Sequence, residues 1–387
     1  MQKLRLLSAL AFLPALIAAG CGGGGGTDVG TGTPPPGGGG DGSAANTYRD
    51  TNLPGRLLVD NPDGDFVVDL RTGARTALPA TADRATSDHW SVGAAGKVAI
   101  RYTTDSNVAA WPLAFFDTGS WQAASKATVS SRFTQPLLSP DGAHFLTFWY
   151  DESSGETRAD RQLTVFNRAN GTVVKQGSQL DGAVITTTPA AWLPDGRYVY
   201  MVEEKLYASS PTSAGSTLIA ELPLPANSET DAGYIDGAGT LSVSPDGSKI
   251  ALSWLEPRGT TDDSHIWVVN VDGTGLRKLT SATDPAAAVS YTYGEPTWSP
   301  DSQWVAAVFH MEGTSTAPVY PDEPFLGGVV TGTTGCANSQ VVVLPAAADK
   351  VRVSWPRFDA TYGVKVRAAS GAGGQWLSTC GSVHWMP

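Results

Sequence analysis

Beyond residue 50 the apolar positions come in short runs, with none of the long stripes that an amphipathic helix would need. Val, Ile, Tyr, Phe and Trp cluster in segments such as Arg56–Val59, Phe66–Leu70, Lys97–Tyr102, His144–Trp149, Arg197–Val202, Lys249–Trp254 and Gln303–Phe309. Gly, Pro, Asn and Asp bound these segments. Short apolar runs between turn-forming residues predict β-strands joined by tight turns, and hence an all-β chain.

The turns repeat. Leu137-Leu138-Ser139-Pro140-Asp141-Gly142, Ala191-Trp192-Leu193-Pro194-Asp195-Gly196, Ser242-Val243-Ser244-Pro245-Asp246-Gly247 and Thr297-Trp298-Ser299-Pro300-Asp301-Ser302 share one pattern, and each precedes an apolar strand. Their prolines lie 51 to 55 residues apart. His89-Trp90-Ser91-Val92-Gly93 is a degenerate copy. Proline presets φ for the first central turn position, Asp tolerates the next, and Gly accepts the positive φ that closes the turn. The residue two before proline (Leu138, Trp192, Val243, Trp298) is large and apolar, which suits packing between neighbouring sheets. A multi-stranded unit of this length cannot bury both faces alone, so stacked copies predict the blades of a β-propeller.

One unit carries a second signature. His265-Ile266-Trp267-Val268-Val269-Asn270-Val271-Asp272-Gly273-Thr274-Gly275-Leu276-Arg277-Lys278-Leu279-Thr280 resembles the TolB-type propeller repeat, in which a strand ends in Asp-Gly and a short outer strand ends in Leu-Thr. Weaker echoes are Asp65–Thr76 and Leu163–Val174. The resemblance spans most of residues 55–310 and implies a single propeller of four-stranded blades. The TolB family has an α/β domain ahead of its propeller, and here a linker occupies that place. Val383-His384-Trp385-Met386-Pro387 supplies the anchor that the first blade lacks, so the last strand is expected to complete blade 1. Anchors at Trp90, Leu138, Trp192, Val243, Trp298 and Trp385 account for six blades. Ser354-Trp355-Pro356 with the strand 363–368 is read as a seventh, so seven are favoured, with six plus an extra hairpin as the alternative.

The N-terminus reads as an address. Lys3 and Arg5 precede an apolar stretch, Leu6–Ala19, too short for a membrane span. It ends Ala18-Ala19-Gly20-Cys21, which resembles the bacterial lipobox. That resemblance implies a signal peptide over 1–20 and diacylation of Cys21, with several acyl chains holding the protein to the membrane. Gly22 after the cysteine points to the outer membrane, with the protein facing the periplasm. Residues 21–47 form a Gly/Pro-rich tether that cannot offset its chain entropy by burial. The propeller is expected over 48–387.

Charge and chemistry narrow the function. The formal net charge is −11, and losing a leader with two basic residues and no acid makes the remainder more acidic. No basic run is present, which argues against nucleic acid. If Cys21 is lipidated, Cys336 and Cys380 remain as an even pair, expected as a disulfide in an oxidising compartment. The histidines show no zinc-binding spacing, and no G-x-S-x-G elbow or phosphate-binding glycine loop occurs. Asp60-Asn61-Pro62-Asp63-Gly64-Asp65 has the start of a calcium loop without its closing Glu and reads as a plain turn. No catalytic, cofactor or metal residues are assigned. The insertion 310–338, with Tyr320, Asp322, Glu323 and Phe325, is the candidate binding element. The favoured reading is a non-catalytic propeller that binds an envelope protein or glycan. The alternative is a propeller enzyme, such as a polysaccharide lyase or lactonase, with its site in the central channel. Acidic or basic side chains gathered at one mouth of that channel favour the enzyme, and a small or apolar lining opposes it.

Overall fold

The computed structural model describes residues 53–60, 64–78, 88–93, 95–103, 110–130, 135–149, 155, 162–177, 180, 189–224, 241–258, 261–282, 289–313, 339–353, 359, 361–367, 374–379 and 381–387. Among these every regular element is a β-strand. No helix among them is long and apolar enough to cross a membrane.

The strands form antiparallel blades. The first holds β1 (Arg56–Val59), β2 (Phe66–Asp69), β3 (Arg75–Ala77) and, on its inner side, β25 (Val383–Met386) from the far end of the chain. The second runs β4 (Asp88–Gly93), β5 (Val98–Thr103), β6 (Ala110–Asp117), β7 (Ala123–Ser130). The third runs β8 (Leu137–Leu138), β9 (His144–Trp149), β10 (Gln162–Asn167), β11 (Val173–Lys175). The fourth runs β12 (Ala190–Trp192), β13 (Tyr198–Val202), β14 (Lys205–Ser209), β15 (Thr217–Glu221). The fifth runs β16 (Leu241–Val243), β17 (Lys249–Arg258), β18 (Thr261–Asn270), β19 (Arg277–Lys278). The sixth holds β20 (Val289–Trp298), β21 (Trp304–Gly313) and β22 (Ser339–Pro345). The innermost strands β4, β8, β12, β16, β20 and β25 touch one another in that order, and β25 returns to β4, so the ring is closed.

The apolar side chains show why. A blade inside a ring is buried on both faces, and alternate strand residues point to opposite faces. Leu57 and Val59 pack toward the sixth blade, with Ala306 and Val341, while Leu58 packs toward the second, with Trp90 and Ala99. Phe145 joins Ile100 and Phe115 of the second blade, whereas its neighbour Leu146 joins Trp192 and Tyr198 of the fourth. Val199 turns instead to Ile250 and Leu252 of the fifth. Each adjacent pair of blades therefore shares one apolar core, the sixth core lying between blades five and six around Tyr291, Tyr293 and Phe309.

The repeated turns take the expected form. Gly142, Gly196 and Gly247 have φ of 71°, 85° and 71°, and Ser302 holds the same left-handed position at 59°. In three of the turns the serine hydroxyl donates to the aspartate two residues on, at 2.5–2.6 Å, and accepts the N–H of the residue that opens the next strand. These bonds hold the Asp141 and Asp246 carboxyls below their usual range against the opposing effect of partial burial. The anchor indoles pin blade to blade. Trp90 donates to Asp65 of the first blade, Trp192 to the Leu137 carbonyl of the third, and Trp298 to the Ser242 carbonyl of the fifth.

The closing strand pairs as the sequence predicts, with Leu57 opposite Trp385 and Val59 opposite Val383. The described inner strands number six, and the anchor Ser354-Trp355-Pro356 read as a seventh lies outside the described residues. β23 (Lys365–Arg367) and β24 (Gly374–Trp376) pair with each other, and their flanks hydrogen-bond β22 through Val343 N to Tyr362 O and Val341 N to Leu377 O. The hairpin thus lies beside β22 at the outer side of the sixth blade, and among the described residues no further inner strand lines the axis. Val364, Val366 and Leu377 are spent in the core between the sixth and first blades.

Candidate functional site: the channel mouth

The ring encloses a cavity of about 410 Å³ on its axis. Pro140, Pro194, Pro245 and Pro300 line it from the repeated turns after β8, β12, β16 and β20, and Pro387 lines it from the residue after β25. Trp192, Trp298 and Trp385 wall it from behind the prolines, each largely buried. The sequence repeat therefore writes a ring of apolar residues around one mouth. A concave apolar site of this size is in the range that binds small ligands or side chains.

Among the described residues two ionisable side chains line the cavity, Glu295 and His384. Glu295 lies in β20 at an irregularity in its pairing with β21, between Gly294 and Thr297. Its backbone is left-handed, with φ 52°, where a side chain with a Cβ is strained by about 1–2 kcal/mol. The carboxyl makes no hydrogen bond or ion pair with any described residue. Burial in the channel pushes its pKa up to about 7, and the nearby Asp60 charge pushes the same way. Asp60 follows β1 and is itself buried, where it accepts the Nδ1–H of His89 at 2.9 Å. The Tyr102 phenol, buried on β5, is raised well above its usual range, first by burial and then by Glu295 and Asp60. His384 Nε2 lies 2.9 Å from the Trp90 carbonyl and 3.1 Å from Ser382 Oγ. The carbonyl can only accept, so this nitrogen carries a proton. Burial lowers the His384 pKa, outweighing the Trp90 bond and the Asp60 charge, and keeps the ring neutral near pH 7.

Cys21, Cys336, Cys380, Tyr320, Asp322, Glu323 and Phe325 all fall outside the described residues, as does the insertion from 314 to 338 between β21 and β22. The ends of the Asp60–Asp65 loop are engaged by His89 and Trp90, across to the second blade. Of the tryptophans outside the anchor slot, Trp121 packs edge-on to Trp90 at 6.0 Å, and Trp376 lies beneath the Lys365 ammonium at 4.7 Å. Among the described residues no group of three or more His, Cys, Asp or Glu side chains is arranged to hold a metal ion. Glu295, Asp60 and His384 were not singled out from the sequence as a site, because they lie far apart along the chain and share no motif. The one sequence cue is a lone acid in an aromatic inner strand, Tyr291–Trp298, that is otherwise uncharged.

No family model matches the chain, and no curated protein matches it. Among solved structures it is similar to TolB from Acinetobacter baumannii, at 15% identity over 78% of this chain and 66% of that one, with a TM-score of 0.45. It is similar to a putative TolB from Agrobacterium tumefaciens at 14% identity over 87% and 100% of the two chains, with a TM-score of 0.44. The β-propeller domain of the Trilobed protease from Pyrococcus furiosus matches at 9% identity over 87% and 97%, with a TM-score of 0.41. At these values the propeller assignment rests on the closed ring of inner strands rather than on the likenesses.

Proposed function

We propose that the chain is a lipid-anchored envelope protein whose propeller binds, without catalysis, a segment of another envelope protein or a glycan at the proline-rimmed mouth. The observation that carries the reading is the mouth itself: an apolar cavity built by every repeat at once, with one unpartnered carboxyl in its wall. The lipobox-like end and the tether supply the envelope address, with the outer membrane as the expected site.

Two experiments test it. A photo-crosslinking residue at Pro140 in full-length protein should trap an envelope partner or glycan in cells, and the added substitutions Pro194→Glu and Pro245→Glu should abolish the adduct. Both prolines are exposed, so the fold should survive. An adduct unchanged by the charges would count against the mouth. For the anchor, Cys21→Ser should remove acyl labelling and release the protein from membranes, and retention of that variant refutes lipidation at Cys21.

One observation favours the enzyme reading. A carboxyl that titrates near neutrality beside a second acid has the character of a general acid. Turnover of a polysaccharide or lactone that is lost in Glu295→Gln, with binding retained, would favour it.

A further inference from the structure

We infer that the channel pocket takes a cation carried on an apolar stem, a guanidinium or ammonium group seated against Glu295. The inference rests on the binding reading above and names the chemistry of the occupant.

The pocket's composition limits what it can hold. Among the described residues its lining has no Lys or Arg, and the imidazole of His384 is neutral and already donates to Trp90. An anion would find no counter-charge there. A neutral apolar occupant would cover the Glu295 carboxyl and leave it without a partner, which costs free energy in a dry site. A cation removes that cost, because its N–H groups satisfy the carboxylate while its charge pairs with it. The stem then lies against prolines and indoles, surfaces suited to the methylene chain of a long basic side chain.

The backbone supports the same reading. A glutamate with φ 52° is an unusual occupant of a left-handed position, which Gly or Asn fills at lower cost. The pairing irregularity next to it re-aims the strand at the channel.

The neighbours set the pH behaviour. Asp60 from the end of β1 raises Glu295, as burial does, and no basic group opposes them. Tyr102 of β5 is uncharged over the working range and His384 of β25 is neutral. His89 of β4 is committed to Asp60. The Glu295 carboxyl is therefore mostly neutral below pH 7 and becomes negative above it. Binding a cation near neutrality expels the Glu295 proton to solvent, and charge balances: the carboxyl loses H⁺ and keeps the pair with the incoming cation.

The test uses full-length protein and three small probes of matched shape: n-butylguanidinium, neutral n-butylurea and anionic pentanoate. Titrations followed by tryptophan fluorescence and calorimetry should show binding of the guanidinium alone. Its affinity should rise about tenfold from pH 6 to pH 8, as Glu295 goes from about one-tenth to about nine-tenths ionised. Calorimetry in buffers of different ionisation enthalpy should register proton release near pH 7. Glu295→Gln should weaken binding at pH 8 at least tenfold and flatten the pH profile. Glu295→Gly, which also relieves the backbone, should do the same while folding at least as well as the parent. Equal binding of butylurea, or unchanged guanidinium binding by both variants, overturns the inference. So does the absence of guanidinium binding at millimolar concentration. If that failure occurs while the Pro140 crosslink persists, the binding mouth stands and only its cation preference falls.

Discussion

Replacing Trp385 with alanine tests the ring at its seam. Trp385 sits on β25, where the chain's end closes the first blade, and its exposure is 6%. The indole packs with Leu53, Leu57 and Val59 of the first blade and Ala306 and Val341 of the sixth. Its Nε1–H donates to the Pro54 carbonyl at 2.7 Å, and its backbone N–H donates to Thr297 Oγ1 of the sixth blade at 3.0 Å. Truncating a buried aromatic to alanine costs about 3–5 kcal/mol, and the unsatisfied carbonyl adds roughly 1 kcal/mol. The sum, about 4–6 kcal/mol, is a large share of the roughly 5–15 kcal/mol that holds a domain folded. Trp385→Phe keeps most of the apolar area and loses the donor, so its cost should be about 1–2 kcal/mol. Urea unfolding followed by far-UV circular dichroism reads both, with the midpoint falling in that order. An alanine variant within about 1 kcal/mol of the parent would refute the reasoning, since the closing strand would then contribute no anchor to the core.

Three further outcomes follow from the same physics. Glu295 has a folded pKa of about 7 against an ordinary 4.5, so the folded state holds its proton longer than the unfolded chain does. Stability should therefore fall as pH rises from about 4.5 through 7, by on the order of 3 kcal/mol, and Glu295→Gln should remove that part of a pH-dependent melting curve. Gly196→Ala meets no atom within 4 Å and should cost only the left-handed backbone term, about 1 kcal/mol, whereas Gly247→Ala also presses on the Pro194 ring at 3.2 Å and should cost more by thermal melting. Lys175 is buried, and its three ammonium N–H groups are shared among Ser209 Oγ and the carbonyls of Ser210, Ser213 and Gly215, which staples the third blade to the fourth. Lys175→Ala should cost about 3 kcal/mol by the same assay, and a loss under about 1 kcal/mol would show that solvent replaces those bonds.

Local chemistry made the fold legible in the sequence. Proline, aspartate and glycine each have a backbone preference that works without tertiary help, so the Ser-Pro-Asp-Gly turns mark where inner strands end. Large apolar anchors at a fixed offset from those turns could have no other use than burial between sheets, and Trp385 at the chain's end revealed the closure. Tertiary structure decided what depends on packing between distant segments. The segment 363–368 has the local marks of another blade, yet the hairpin of β23 and β24 hydrogen-bonds β22 through its flanks, and the described inner strands already close the ring where β25 meets β4. The chemistry of the channel was hidden for the same reason. Asp60, Glu295 and His384 look like a turn acid, a strand acid and a strand histidine when taken one by one. Only the ring brings them within electrostatic reach of one another, and burial there, with the Asp60 charge, shifts the Glu295 and His384 protons.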